Sequence, residues 1–527
     1  MVYNLSSKKT KLLLKGTKGL YQAQGGLGRI VGVNQEKEIA YMPAYFGGEG
    51  TKPRNHLVAV DLNTGVGRIH ERGREITRRW FVKDDGTVLA REDYNNESNS
   101  HEVYAMQSGK WQLIHSEFVE IPSKSFWAVS SDNKSLLFRN KNDDRSAVYS
   151  IKLMDGTIDG PLFKRDNADI ASLVKDVNKK VIAVKYTGLK PAYEFMDQHN
   201  AEYFEQISSD FASSSVFYLT ATADKTKMIV LVSGSDAANE YKLFDTQTNK
   251  LLTLASGYPN IDKVGPVESI TYAARDGLPI PAIVTSPPIA KEEGPLPLIA
   301  LPHGGPESYD SLKFKWLAQY FAAKGYLVLQ PNFRGSTGFG YEFRDAGRGK
   351  WGKEMQDDIT DGVKALVDAG YVDPERVCIV GWSYGGYAAL AGGAFTPEVY
   401  RCVIAIAGVS DIPKMLDEDI ENAEDHWVVS YWKEVIGDVK SERDALKAVS
   451  PLYFADNFKA PVLLIHGKDD LVVPVSQSKK MFRALKKSDK EVQLVTFKGG
   501  DHGLFKSSTR LKMLKAVDEF LNKHNPI

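Results

Sequence analysis

Ser383, His502 and an aspartate at 469 or 470 carry the side chains needed for nucleophilic catalysis. A serine hydroxyl is a poor nucleophile near neutral pH, so an imidazole must take its proton while a carboxylate fixes that imidazole's tautomer and stabilises its charged form. The three lie in Gly381-Trp382-Ser383-Tyr384-Gly385, then His466-Gly467-Lys468-Asp469-Asp470, then Asp501-His502-Gly503. The chain order is therefore nucleophile, acid, histidine.

Elements must position these groups. Arg376-Val377-Cys378-Ile379-Val380 reads as a buried strand, and Tyr384 to Ala394 as a helix rich in small residues. A strand, a sharp turn and a helix lift a nucleophile above a sheet, as in α/β-hydrolases. Glycines at 381 and 385 remove the Cβ atoms that would clash where the turn brings strand and helix together. Upstream, the apolar run 297–302 leads into His303-Gly304-Gly305-Pro306, whose glycines let backbone amides face a developing oxyanion. The expected donors are the amides of Gly305 and Tyr384.

These residues carry a resemblance. His303-Gly304-Gly305-Pro306, Asn332-Phe333-Arg334-Gly335-Ser336-Thr337-Gly338-Phe339-Gly340, Trp351-Gly352, Gly381-Trp382-Ser383-Tyr384-Gly385-Gly386 and the two later motifs together resemble the prolyl oligopeptidase family of serine peptidases. The match covers roughly residues 265–527. His-Gly-Gly-Pro is similar to the acylaminoacyl peptidase branch, and Trp before the serine to the dipeptidyl peptidase branch. The resemblance puts the acid three residues after Gly467, at Asp470, and leaves Asp469 solvated. It makes His466 a structural histidine. It also implies an S1 pocket formed by Val409, Trp427, Tyr431, Trp432 and Val473, with core packing as the competing role of the tryptophans.

Composition excludes several classes. With 67 basic and 67 acidic side chains the formal net charge is zero, so no global field attracts nucleic acid or an anionic membrane. No apolar run approaches the roughly 20 residues of a membrane span. Cys378 and Cys402 fall in apolar runs and are expected as buried free thiols. The compartment is left open.

The C-terminal half alternates strand-like runs at 297–302, 326–330, 377–380, 401–407, 461–465 and 491–497 with amphipathic helices. One helix carries Met355, Ile359, Val363, Leu366 and Val367, and the last carries Leu511, Leu514, Val517 and Leu521. Such strands, apolar on both faces, predict a mainly parallel, doubly wound sheet with its site at the strands' C-terminal ends.

The N-terminal half repeats turn signals at Asp84-Asp85-Gly86, Asp132-Asn133-Lys134, Asp176-Val177-Asn178 and Asp224-Lys225, in steps of 48, 44 and 48 residues. A four-stranded unit of this length, repeated, is a propeller blade. The expected division is 1–262, an all-β propeller of about five blades plus a partial one, and 263–527, an α/β-hydrolase domain. Residues 286–295 are expected as a surface loop. Residues 2–14 match a blade's second hairpin with no first hairpin before it, which suggests an N-terminally shortened ring whose open strand edges would favour a homo-oligomer.

The expected function is a serine peptidase for short peptides, acylaminoacyl-peptidase or oligopeptidase-like, acting through an acyl-enzyme with no cofactor and no metal. A carboxylesterase, a dipeptidyl aminopeptidase and an inert propeller binding protein are the alternatives.

Overall fold

Val377 and Ile379 lie in one apolar cluster, while Cys378 and Val380 lie in another. The same alternation separates Leu298 and Ala300 from Ile299, and Leu464 from Leu463 and Ile465. Because side chains of a strand point to opposite faces in turn, these runs belong to one sheet with a core on each face. The computed structural model describes residues 1–21, 24, 29–48, 50–176, 178–289, 294–423 and 427–527, with the side chains of 422, 423 and 427 left out.

The sheet has eight strands: β1 (Val267–Ala273), β2 (Pro279–Thr285), β3 (Leu296–Ala300), β4 (Leu327–Pro331), β5 (Val372–Trp382), β6 (Cys402–Ile406), β7 (Val462–Gly467) and β8 (Val492–Phe497). Their spatial order is 1-2-4-3-5-6-7-8. The pairings from β4 through β8 are parallel, and only β1–β2 and β2–β4 are antiparallel. Helices α1 (Trp316–Lys324), α2 (Glu354–Asp368), α3 (Tyr384–Phe395), α4 (Ser476–Lys487) and α5 (Ser507–His524) accompany it.

Two sequence expectations need correction here. Cys378 and Cys402 form a disulfide, with their Cα atoms 4.7 Å apart. They are direct register partners on β5 and β6, and neither apolar run reveals that its strand lies beside the other. In α5 the buried stripe is Met513, Val517, Phe520 and Leu521, while Leu511 is 55 % exposed. At 3.6 residues per turn the contacts at 513, 517 and 520 fix the inward face, and Leu511 falls outside it.

Among the described residues before β1 there are five antiparallel sheets and one separate hairpin, Val2–Asn4 with Lys9–Lys11, which pairs only with itself. Four sheets have four strands and the sheet starting at Ile170–Lys175 has three. These are propeller blades, each made of consecutive strands. The turns at 84–86, 132–134 and 224–225 join the first two strands of three of them, and Val177 of the remaining turn lies outside the described residues, as do 290–293 of the 286–295 loop. The aspartates act locally: Asp85, Asp132 and Asp224 each accept a hydrogen bond from the amide two residues on, the side-chain-to-backbone bond that makes Asp a turn former. Phe81, Ala90, Val103, Phe126, Leu136, Phe138 and Ile151 form a core between two neighbouring sheets.

The chain divides into two units. One holds Met1–Tyr186 and Tyr193–Ala201, and the other holds Thr187–Ala192, Glu202–Glu424 and Val428–Ile527. The fifth antiparallel sheet, Ser214–Ser256, thus groups with the eight-stranded sheet.

Candidate active site

Ser383 stands between β5 and α3 with φ 63° and ψ −122°. A side-chain-bearing residue at positive φ is costly and persists only where its surroundings enforce it. Here the Ser383 amide donates to the Ile406 carbonyl at 2.9 Å, and its carbonyl accepts from the Tyr387 amide at 3.0 Å. Both flanking glycines are obligatory by contact. A Cβ on Gly381 would lie 1.9 Å from the Gly385 carbonyl oxygen, and one on Gly385 would lie 2.2 Å from the Pro302 oxygen.

The His303–Pro306 loop lies against this turn. A Cβ on Gly304 would be 3.3 Å from the Ser383 Cβ and 3.9 Å from its Oγ. The loop is braced by the Asn332–Ser336 motif. His303 stacks on Phe333 with ring centroids 4.4 Å apart, and its Nε2 meets the Ser336 hydroxyl at 3.0 Å. Asn332 and Asp310 exchange hydrogen bonds of 2.6 and 3.0 Å. Buried Arg334 grips Asp358 with Nε at 2.9 Å and a terminal nitrogen at 2.7 Å, and also reaches Asp276 at 2.7 Å. Bidentate guanidinium–carboxylate pairs of this kind fix geometry as well as charge.

His502 Nδ1 lies 2.7 Å from Asp470 Oδ2. A carboxylate can only accept, so Nδ1 holds the proton and Nε2 is the basic nitrogen of the neutral ring. Asp470 Oδ1 accepts from the amides of Val472 and Val473, both at 2.9 Å. Burial alone would raise the Asp470 carboxyl, but the hydrogen bonds from His466, His502 and the two amides overcome it and hold the group well below the usual carboxylate range. His466 is fully buried. Its Nε2 is 2.7 Å from the Val473 carbonyl, which makes it a donor, and lies 3.3 Å from Asp470 Oδ2. Its Nδ1 accepts from the Ser478 hydroxyl at 2.7 Å. Asp469 is exposed, and its amide donates to the Gly500 carbonyl at 2.9 Å.

The remaining candidates scatter by burial. Val409 and Val473 are buried in the larger apolar cluster, and Tyr431 and Trp432 lie half-buried against it. Trp432 meets Trp351 edge-on at 6.1 Å, and Trp351 meets Tyr384 at 4.6 Å. Trp427 opens the helix Trp427–Val435, but its side chain lies outside the described residues.

Two contributions were not anticipated. The Trp382 indole N–H donates to the His502 carbonyl at 2.8 Å, tying the His502 loop to the Ser383 turn. Glu307, four residues after His303, is raised by burial, with Arg344 and Arg348 opposing the shift and Tyr431 hydrogen-bonded to it. The signal for Trp382 was its place beside Ser383; for Glu307 the sequence offered none.

Among the described residues, one group of side chains could hold a metal ion. His101, His115 and Glu117 have ligand atoms within 4.8 Å of one another. However, His101 donates to Glu117 at 2.8 Å and lies 3.0 Å from Glu92. Burial pulls its pKa down, but the two carboxylates raise it to about 9, and Lys124 lies 2.8 Å from Glu117. An imidazolium and an ammonium already supply the positive charge, so the group is an ion network.

Residues 312–525 match the family model described as the prolyl oligopeptidase family. Dipeptidyl aminopeptidase BIII of Pseudoxanthomonas mexicana is 28 % identical over 480 residues, covering 88 % of this chain and 68 % of that protein. The acylamino-acid-releasing enzyme of Arabidopsis thaliana is 29 % identical over 271 residues, 49 % of this chain and 35 % of its own length. Thus the chain spans about two thirds of the first relative and about one third of the second. A puromycin-hydrolyzing peptidase of Mycobacterium tuberculosis shares the fold with a TM-score of 0.76 at 22 % identity, over 96 % of this chain and 79 % of that one.

Proposed function

Because this chain belongs to the prolyl oligopeptidase family of serine peptidases, we propose that it hydrolyses short peptides with Ser383 as nucleophile, His502 as base and Asp470 as the orienting acid. The observation that carries the reading is the 2.7 Å bond between His502 Nδ1 and the locked Asp470 carboxylate. It fixes the tautomer in which Nε2 can accept a proton. In this reaction His502 Nε2 takes the Ser383 proton as Oγ attacks the scissile carbonyl carbon. The amides of Gly305 and Tyr384 hold the oxyanion, and the protonated His502 then gives its proton to the leaving amine. Water, activated by the same nitrogen, releases the acyl group. No cofactor enters these steps.

Acylated or longer peptides are the proposed substrates, with an uncharged apolar or aromatic P1 side chain facing Val409, Tyr431, Trp432 and Val473. A second reading, removal of dipeptides from free N-termini, is supported by the likeness to a dipeptidyl aminopeptidase over 88 % of this chain. We take 1–262 and 263–527 as the working division between propeller and hydrolase. Chromogenic peptides with free, acylated and internally extended N-termini, together with a simple ester, test the assignment. Acylated or extended peptides should be cleaved fastest; a strict requirement for a free amine two residues from the cut would select the second reading. Cleavage of the ester alone would overturn both.

A further inference from the structure

The N-terminal unit holds a cavity of about 990 Å³ lined by seven basic side chains and three aspartates. That volume lies at the upper end of the range for ligand sites, roughly 300–1,000 Å³. Its cations include Arg29, Arg79, Lys175 and Lys179, brought together from separate segments. Half-buried Lys175 ends the strand Ile170–Lys175, and its ammonium donates one hydrogen bond, of 2.8 Å, to the Trp127 carbonyl. An ammonium has three such donors. Arg79 gives one terminal nitrogen to the Phe126 carbonyl and lies 3.6 Å from Glu92 through Nε.

The three aspartates form no ion pair with Arg29, Arg79, Lys175 or Lys179 among the described residues; their charge is met by Lys83 and Lys180. Asp85 accepts from the Thr87 amide at 2.8 Å and Asp176 from the Lys180 amide at 2.9 Å, each closing its own turn. Asp84 is raised first by burial, with Lys180 as the one cation opposing that. Burial lowers Lys175 to about 8, and the charges that add to the shift, those of Arg29, Lys179 and Arg79, are all positive. Arg29 is lowered by burial and by Arg79 as well, with Glu92 opposing. Like charges gathered in a concave, partly desolvated site focus a positive potential. An oxyanion accepting hydrogen bonds from two or more of them would remove the repulsion.

We propose that this cavity binds a ligand bearing two or more carboxylate or phosphate groups, held by Lys175, Arg79, Arg29 and Lys179. The chemistry has two sources, the acidic side chains and terminus of a peptide, or a free small polyanion. Binding here makes no use of Ser383, so the proposal stands apart from the peptidase assignment.

The test is calorimetric titration of the full-length Ser383→Ala protein, which should leave peptides uncut, with tetraglutamate, with citrate and with amidated tetraglutamine. One or both of the acidic ligands should bind with one-to-one stoichiometry, more weakly as salt rises, and the neutral peptide should not bind. Adding Lys175→Gln should lower the affinity at least about ten-fold, the loss expected for a charge-assisted hydrogen bond. If that variant fails to fold by circular dichroism, Arg29→Gln takes its place. Binding of tetraglutamate alone assigns the peptide source, and binding of citrate assigns a free polyanion. Failure of both acidic ligands to bind, or equal affinity in the variant, overturns the proposal.

Discussion

At the residue scale, the charge distribution around Asp470 separates two adjacent aspartates. Asp470 is enclosed and accepts hydrogen bonds from two amides and His502, while Asp469 is exposed. Asp470→Asn should therefore lower kcat/KM by several orders of magnitude and Asp469→Asn by less than about ten-fold, since only the first disturbs the tautomer. Equal losses would move the acid's role. Ser383→Ala should reduce kcat by roughly 10⁴ to 10⁶ with the fold unchanged, and should abolish labelling by a fluorophosphonate. Trp382→Phe keeps the ring and removes the bond to the His502 carbonyl. A fall in kcat of between about two- and ten-fold with little change in KM is expected; an unchanged kcat would show that the indole N–H does not position the loop.

At the element scale, α3 is held where backbone meets backbone. Gly385→Ala would press a methyl group against the Pro302 carbonyl oxygen, which lies 2.2 Å from the Cβ position. The variant should lose more than about 2 kcal/mol of stability in denaturant titration and most of its activity, because the strand, the helix and the 303–306 loop cannot all keep their places. A variant of native stability would mean that the loop yields freely. Elements were also what the sequence disclosed best. Strands buried on both faces announce themselves as apolar runs, so the buried stretches of β3 to β7 were legible, as were the aspartate turns of the blades. Register was not. Nothing in 377–380 or 401–407 states that Cys378 faces Cys402, since α3 separates them in sequence while the sheet joins them. The inward face of α5 was misjudged at Leu511 because leucine alone does not report burial. Of the proposed site, Ser383 and His502 stood out by motif and chain order and Asp470 through the resemblance, whereas the bond from Trp382 to His502 spans 120 residues and could not be read from the motif.

At the scale of the whole molecule, the ion network of the second blade links stability to pH. Burial opposes the charge on His101, but Glu117 and Glu92 raise its pKa to about 9 in the folded state, against roughly 6.5 when unfolded. The sign follows from the folded value being the higher one: the stabilisation is complete below about 6.5 and is lost as pH rises through about 9. Burial opposes the charge on Glu117, but hydrogen bonds from His101, His115, Lys124 and Ser123 shift it downward, so the network also weakens in strong acid. Thermal unfolding of the wild type should show a falling Tm between pH 6.5 and 9, by at most about 3 kcal/mol in free energy, and His101→Gln should flatten that slope. Parallel profiles for the two proteins would exclude the linkage.

The order of strands in the two kinds of sheet also sets an order in time. Each blade pairs neighbours in sequence, so its contacts close short loops and can form while the chain is still being synthesised. The eight-stranded sheet cannot do this, because β3 lies between β4 and β5 and the sheet is finished only by β8, Val492–Phe497. His502 follows that last strand. A nascent chain halted just short of it would hold the sequence of every blade and Ser383, and would lack the histidine proposed to take the serine's proton.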